Sequence, residues 1–270
     1  VVPDCSFEGC SSCGVCGPEL GHNVVVPPPP IPQQRPQRAP ASERVARLRF
    51  RFSKTGSLAL LSHLDLVRLM ERALRRSGLP VSFTGGFHPL PRVQFALALP
   101  LGAEADGEWM DIEFTSPVPA QQAMAQLQPQ LPAGFRLLQA DEVAVSGPSL
   151  SQELAGAHWQ LSLQPVEAAA IARPLWHAAA QQLLDAPSWI WHDTDKKGRP
   201  RQRDCRPYLQ SLELLEPAEQ TAMGLRYAAL VDPAGRSLRP EQLQHWFGEQ
   251  LGQPLEMVSL RRESLQLQQS

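Results

Sequence analysis

Two consecutive stretches decide the reading: ARLRFRFS at residues 46–53 and SHLDLVRLMERALRRSG at residues 62–78. In the first, Leu48, Phe50 and Phe52 alternate with Arg47, Arg49 and Arg51. That is the period of a strand with one face in a core and the other half exposed. A turn over Lys54–Ser57 separates it from the second stretch, which reads as a helix. Ser62 is a good N-cap, and Asp65 three residues later completes a capping-box pattern. Leu64, Val67, Met70 (with Glu71 beside it) and Leu74 form the expected apolar stripe. Gly78 serves as C-cap, with Pro80 just beyond.

The same alternation of periods continues outward. Strands are expected at 79–83, 93–99 and 109–115, a helix at 117–130 and a closing strand at 135–143, giving the order β-α-β-β-α-β. The remainder repeats this order. A strand at 158–163 precedes an Ala-rich helix at 166–184, which Pro174 should kink. Residues 189–192 and 207–215 flank a basic loop, as two arms of one hairpin or as a single interrupted strand. A strand at 225–231, a helix at 239–251 and a long final strand at 255–267 follow. The expected class is α+β, with two tandem ferredoxin-like halves at 44–146 and 147–270.

The chain has 270 residues, 19% of them charged and 43% hydrophobic. That excludes a wholly disordered chain, and no apolar run of about 18 residues predicts a membrane helix. The first residue is Val1 and no signal peptide follows, so the expectation is the tail of a longer polypeptide, located in the cytoplasm. The net charge of −2 conceals a separation of charge. Residues 44–92 hold ten basic side chains against two acids, and 103–167 hold nine acids against Arg136. Residues 196–206 hold six basic side chains against Asp204. Such blocks can steer an anionic partner, or they can pair with each other.

Four cysteines, Cys5, Cys10, Cys13 and Cys16, stand in DCSFEGCSSCGVCG with the spacing C-x4-C-x2-C-x2-C. Only Cys205 lies elsewhere, which argues against a disulfide-stapled secreted domain. Four clustered thiolates suit an iron–sulfur cluster or, alternatively, zinc, and the spacing leaves that choice open. His22 is a bystander or a replacement ligand. Residues 24–43 carry seven prolines and read as a semi-rigid polyproline spacer. The cysteine segment, 1–23, is thus tethered to the folded body.

The loop PVSFTGGFHPLPR holds the candidate ligand groups. Gly85 and Gly86 permit positive φ or the close approach of another backbone. Phe87, His88 and Arg92 then offer stacking, hydrogen bonding and phosphate contact on a proline-stiffened loop. The alternative is a Gly–Pro turn whose Phe87 plugs the core. On the preceding helix, Arg68, Arg72, Arg75 and Arg76 form a basic stripe suited to RNA or another polyphosphate. Lys196, Lys197, Arg199, Arg201 and Arg203 form a second basic contact. His63 and His88 are the candidate acid and base if the chain is itself an RNA-processing or RNA-modifying enzyme.

Several strings occur in order: SHLD at 62–65, ERALRRSGLP at 71–80, GGFHPLPR at 85–92, ALPLG at 98–102 and EWMDIE at 108–113. In these the chain resembles the radical-SAM-linked domain family of bacteria. The opening cysteine segment resembles the end of a cobalamin-binding-type radical SAM protein to which this domain is sometimes fused. Radical SAM catalysis uses C-x3-C-x2-C, whereas this chain has x4 in the first gap and no barrel-length region. The resemblance therefore implies an accessory, substrate-binding role. S-adenosylmethionine and radical chemistry would come from a radical SAM domain in cis or in trans. The resemblance leaves the substrate unnamed, and it is the charge pattern that suggests RNA. A further alternative is a module that docks a radical SAM core through its acidic 103–167 segment.

Overall fold

The computed structural model describes residues 10–14, 38–167, 170–195, 197–215 and 222–268. By packing, the chain divides into two units, 1–38 and 39–270. The second unit is built on strands β1 (Ala46–Lys54), β2 (Val93–Phe95), β3 (Glu104–Phe114), β4 (Phe135–Val143) and β5 (Leu154–Pro165). It continues with β6 (Ile190–Thr194), β7 (Pro200–Asp204), β8 (Leu209–Leu215), β9 (Met223–Leu230) and β10 (Leu255–Leu267). The helices are α1 (His63–Ser77), α2 (Ala120–Leu127), α3 (Leu150–Glu153), α4 (Arg173–Asp185) and α5 (Pro240–Leu251). None of the described helices is long and apolar enough to cross a membrane.

Eight strands form one mostly antiparallel sheet in the order β4-β1-β3-β10-β5-β9-β8, with β2 also paired to β3. The fold is therefore mixed α+β. In each group of four main strands the first lies between the fourth and the third, and the second pairs with the third. The groups meet where β10 runs parallel to β3, at Arg261 opposite Glu104 and Arg262 opposite Ala105. One core gathers Leu48, Phe50 and Phe52 of β1 with Met70 and Leu74 of α1 and Leu127 of α2. The other gathers Leu161 and Leu163 of β5 with Trp176 of α4 and Phe247 of α5.

Local chemistry explains where α1 begins and ends. The Ser62 hydroxyl accepts from the Asp65 backbone N–H at 3.3 Å and donates to the Asp65 carboxylate at 2.6 Å. Gly78 closes the helix with φ 72°, a left-handed value that a side chain would strain. The buried stripe is Leu66, Met70, Ala73 and Leu74: Met70 and Leu74 are buried as expected, while Leu66 and Ala73 stand in the core in place of Leu64 and Val67. Leu64, in the first turn, is 66% exposed instead.

Four other expectations change. Residues 79–83 form no strand; single bridges at Val81–Phe114 and Phe83–Pro91 pin them instead. Pro174 lies in the first turn of α4, where its missing N–H costs nothing, so it starts a helix rather than kinking one. The basic loop joins β6 to β7 as a separate two-stranded hairpin, while β8 belongs to the main sheet. The one-turn helix α3, held by the Ser149–Gln152 capping box, stands where no helix was expected.

The junction between the two strand groups is ionic and dry. The Arg262 side chain is fully buried and meets Glu108 through two hydrogen bonds, Nε to Oε1 at 2.6 Å and Nη2 to Oε2. It also donates to the carbonyls of Leu97 at 3.0 Å and Ala98 at 3.2 Å, and lies 5.0 Å over the Trp159 ring. The Trp109 indole adds a bond to the Leu265 carbonyl at 3.2 Å. Lys54 is buried near this pair. Burial pushes its ammonium below the usual lysine range, Glu108 opposes that shift and Arg262 adds to it. Removing one partner of a buried pair strands the other charge. Arg262→Ala is therefore expected to lower unfolding stability by about 3–5 kcal/mol in urea titrations. A loss below about 1 kcal/mol, the scale of an exposed pair, would contradict this assignment.

Candidate functional site

Helix α1 turns three faces to three surroundings: one enters the core, one lines a groove and one lines a cleft. Arg68, Arg72 and Arg76, each four residues apart, line an open groove of about 610 Å3 whose far wall includes Gln130 and Pro132. Arg68 lies 3.5 Å from Asp65, and Arg76 donates to the Gln130 carbonyl at 2.7 Å. Arg72 is exposed and has no ion-pair or hydrogen-bond partner among the described residues. Arg75 leaves this stripe. It pairs with Glu71 at 3.0 Å, donates to the Pro89 carbonyl at 3.2 Å and covers the Phe83 ring at 5.1 Å. One arginine thus fastens the Gly-Phe-His loop to α1, while the other three face elsewhere.

The two glycines of that loop do both things their chemistry allows. Gly86 adopts φ 119°. A Cβ on Gly85 would lie 2.9 Å from the Ala41 nitrogen, because residues 39–42 run directly across it. Ala39 and Gly86 exchange backbone hydrogen bonds at 2.9 and 3.0 Å, and Ser42 N–H reaches the Phe83 carbonyl at 3.0 Å. The end of the expected spacer is therefore docked on the loop. Phe87 is 62% exposed and does not plug the core. His88 is exposed without a partner among the described residues, and His63 packs edge-on against Phe95 at 5.8 Å. No hydrogen bond or ring contact joins the two histidines, so no acid–base pair is assembled from them.

Beneath the loop, β1 and β3 face each other as alternating basic and acidic strands. Arg47 sits opposite Glu113 and Arg49 opposite Asp111. The Asp111 carboxylate accepts from Arg49 at 2.8 and 3.0 Å, and Arg49 also bonds Glu153. These carboxylates raise the Arg49 pKa against the opposing effect of burial. Arg44 holds Glu113 through two bonds at 2.5 and 2.6 Å, while Arg92 stands 3.9 Å from the same carboxylate. Residues 144–153 cover this face, with Arg47 donating to the Pro148 carbonyl at 3.1 Å.

A cleft of about 390 Å3 opens where β1 begins and β3 ends. It is bounded by Val67 and Glu71 of α1, by the loop at Leu90–Arg92, and by Arg47, Asp111 and Glu113. Arg47 is only 6% exposed. Its Nε and that of Arg92 are buried donors with no hydrogen-bond partner. Such donors cost about 1–3 kcal/mol each when left unmet. Arg47, Arg49, Asp111 and Glu113 were not singled out from the sequence. The signal was present: basic residues at alternate positions 47 and 49, and acids at alternate positions 111 and 113, complement each other across two strands.

The acidic and basic blocks are thus partly consumed by each other. Of the nine acids in 103–167, six (Glu104, Asp106, Glu108, Asp111, Glu113 and Glu153) form ion pairs with arginines of this chain. That removes most of the acidic face expected to dock a partner. In the β6–β7 hairpin, Arg199 pairs with Asp195 and Arg201 with Asp193, each at 2.7 Å. The hydrogen bonds from these arginines hold both carboxyls below the usual range. Arg203 lies over the Tyr208 ring at 5.9 Å, and Lys197 is exposed. Lys196 lies outside the described residues.

Of the expected metal ligands, Cys10 and Cys13 are exposed and free, while Cys5 and Cys16 lie outside the described residues, as does His22. Among the described residues no group of three or more His, Cys, Asp or Glu side chains is gathered for a metal ion. Cys205 is buried, with its thiol accepting from the Gln242 amide at 3.3 Å, and burial pushes its pKa up.

No curated protein sequence matches the chain. Among solved structures it is similar to the archaeal box H/ACA sRNP Nop10–Cbf5 complex. Identity there is 11% and the TM-score 0.44, over 80% of this chain and 46% of that one. For a Cbf5–Nop10–Gar1 complex the identity is 11% and the TM-score 0.47, over 85% and 58%. An H/ACA RNP bound to a substrate RNA containing 2'-deoxyuridine gives 10% and 0.43, over 80% and 46%. The chain spans about half the length of these solved chains, and at such values the likeness is one of outline. A family match over residues 47–240 is of a different order: the chain belongs to DUF2344, the family described as an uncharacterized protein conserved in bacteria.

Proposed function

We propose that this chain is an accessory, substrate-binding domain of a radical SAM system, formed by two tandem ferredoxin-like halves, and that its substrate is RNA. The repeated strand order, with the first strand between the fourth and third in each group, supports the two-halves reading. The radical SAM association rests on the strings at 62–65, 71–80, 85–92, 98–102 and 108–113 and on the four-cysteine opening. In this reading an upstream or partner domain supplies the S-adenosylmethionine chemistry, and this chain binds and orients the substrate in the cytoplasm.

The observation that carries the RNA reading is the α1 groove. Arg68, Arg72 and Arg76 line it at helical spacing, and Arg72 has no partner among the described residues. Guanidinium groups one helical turn apart can follow a phosphate backbone, and exposed Phe87, on the loop that Arg75 fastens to α1, offers a separate stacking surface. The β6–β7 hairpin, with exposed Lys197, adds a second basic contact.

Fluorescence anisotropy with a single-stranded RNA oligonucleotide tests this. Three phosphate contacts give a salt slope of about −2, so raising salt from about 50 to about 200 mM should weaken binding roughly 20-fold. Arg72→Glu with Arg76→Glu should weaken binding further and flatten the slope. A salt-independent affinity, or an unchanged one in the double variant, would contradict an RNA groove on α1.

The four cysteines carry a separate expectation. Thiolates suit an iron–sulfur cluster or zinc, and the exposed, unpaired Cys10 and Cys13 are accessible to either. Anaerobic purification should yield metal at one site per chain. Visible absorbance with iron and sulfide assigns a cluster, and colourless zinc assigns a structural site. Loss of bound metal on Cys10→Ser and Cys13→Ser is expected, and metal-free wild-type chain would refute the site.

A further inference from the structure

The cleft beneath the Gly-Phe-His loop is chemically unlike the open groove on the other face of α1. It is walled on one side by apolar groups, Val67, Leu90, Pro91 and Val93, and on the other by Arg47 and Arg92 beside the carboxylates of Asp111 and Glu113. Its volume, about 390 Å3, falls in the range of small-molecule sites. Arg47 is more than nine-tenths buried, and both arginines present a buried Nε donor that no protein acceptor meets. Buried donors without partners are rare in folded proteins and call for an explanation at each site.

The ion-pair network points to the sign of the missing partner. Arg44, Arg47, Arg49 and Arg92 meet three carboxylates, Asp111, Glu113 and Glu153. The short bonds go to Arg44 and Arg49. Arg47 and Arg92 are left at 3.7 and 3.9 Å from carboxylates already held by others. Glu71, also on the cleft wall, is paired with Arg75. One further anion would balance the charge of this network. Nearby, the Ser82 hydroxyl is fully buried without a partner, and its backbone N–H bonds the Glu113 carbonyl at 2.8 Å.

We propose that this cleft binds a small organic oxyanion, a carboxylate or phosphate monoester with an apolar body. Its charged oxygens meet the guanidinium groups of Arg47 and Arg92, and its body lies on Val67, Leu90, Pro91 and Val93. The site is independent of the RNA groove: Arg47 and Arg92 belong to β1 and the loop end and line the cleft, whereas Arg68, Arg72 and Arg76 line the separate groove.

Isothermal titration of the full chain with phenyl phosphate and with benzoate tests the proposal and separates the two anion sources. Saturable binding of either probe, tighter than that of inorganic phosphate or acetate, is expected. Arg92→Gln should weaken it about tenfold or more. Because Arg47 is buried and its replacement endangers folding, the half-exposed Arg92 carries the test. Arg72→Glu should lose RNA affinity and retain the probe, so failure of the RNA reading and failure of this one read out separately. No binding of either probe at millimolar concentration, equal affinity in Arg92→Gln, or loss of the probe in Arg72→Glu would overturn it.

Discussion

A fully buried arginine ties the molecule together. Arg262 of β10 crosses to Glu108 of β3 where the two strand groups touch along only two register pairs. So short a parallel contact supplies few ladder hydrogen bonds, and the Arg262 guanidinium makes up part of the deficit with the carbonyls of Leu97 and Ala98. Burying an ion pair is costly unless every donor is met. Here Nε and both terminal nitrogens have acceptors, and the Trp159 ring covers the cation. The junction also carries Lys54 in the same dry region, at the expense of its proton affinity. Because β3 holds Glu108 at the junction and Asp111 and Glu113 at the cleft, one strand connects the staple to the candidate ligand sites.

The arginines divide into two kinds by what surrounds them. Arg49 and Arg262 are locked by carboxylates on neighbouring strands, and Arg44 and Arg75 fasten segments to the body. Arg72 on α1 and the Nε groups of Arg47 and Arg92 are donors without an internal acceptor. Net charge could not separate these kinds, since both contribute equally to it. The distinction depends on which strand lies alongside which, and that follows from the sheet order.

Much of the framework was legible. The bounds of β4 and β10 and both caps of α1 follow from period and cap chemistry, because those signals are local. Other features depended on remote chain. The basic face of β1 looked half exposed, yet Arg47 and Arg49 are buried because residues 144–153, about a hundred positions away, cover them. On α1, Met70 and Leu74 are buried as expected, but Leu64 is exposed and Val67 lines the cleft, because hydrophobicity alone cannot tell core from cleft wall. The β6–β7 hairpin was blurred because its strands are exposed and charged, with little apolar alternation. In the loop, Gly85 and Gly86 correctly announced a close backbone approach, but not that the end of the proline segment would make it.

The division of the arginines can be observed directly in a nitrogen-resolved NMR spectrum of their Nε–H groups, recorded before and after adding single-stranded RNA to the full chain. The account predicts movement of the Arg68, Arg72 and Arg76 signals and fixed signals for Arg49 and Arg262. Unchanged α1 signals, or movement at Arg49 and Arg262 instead, would contradict it.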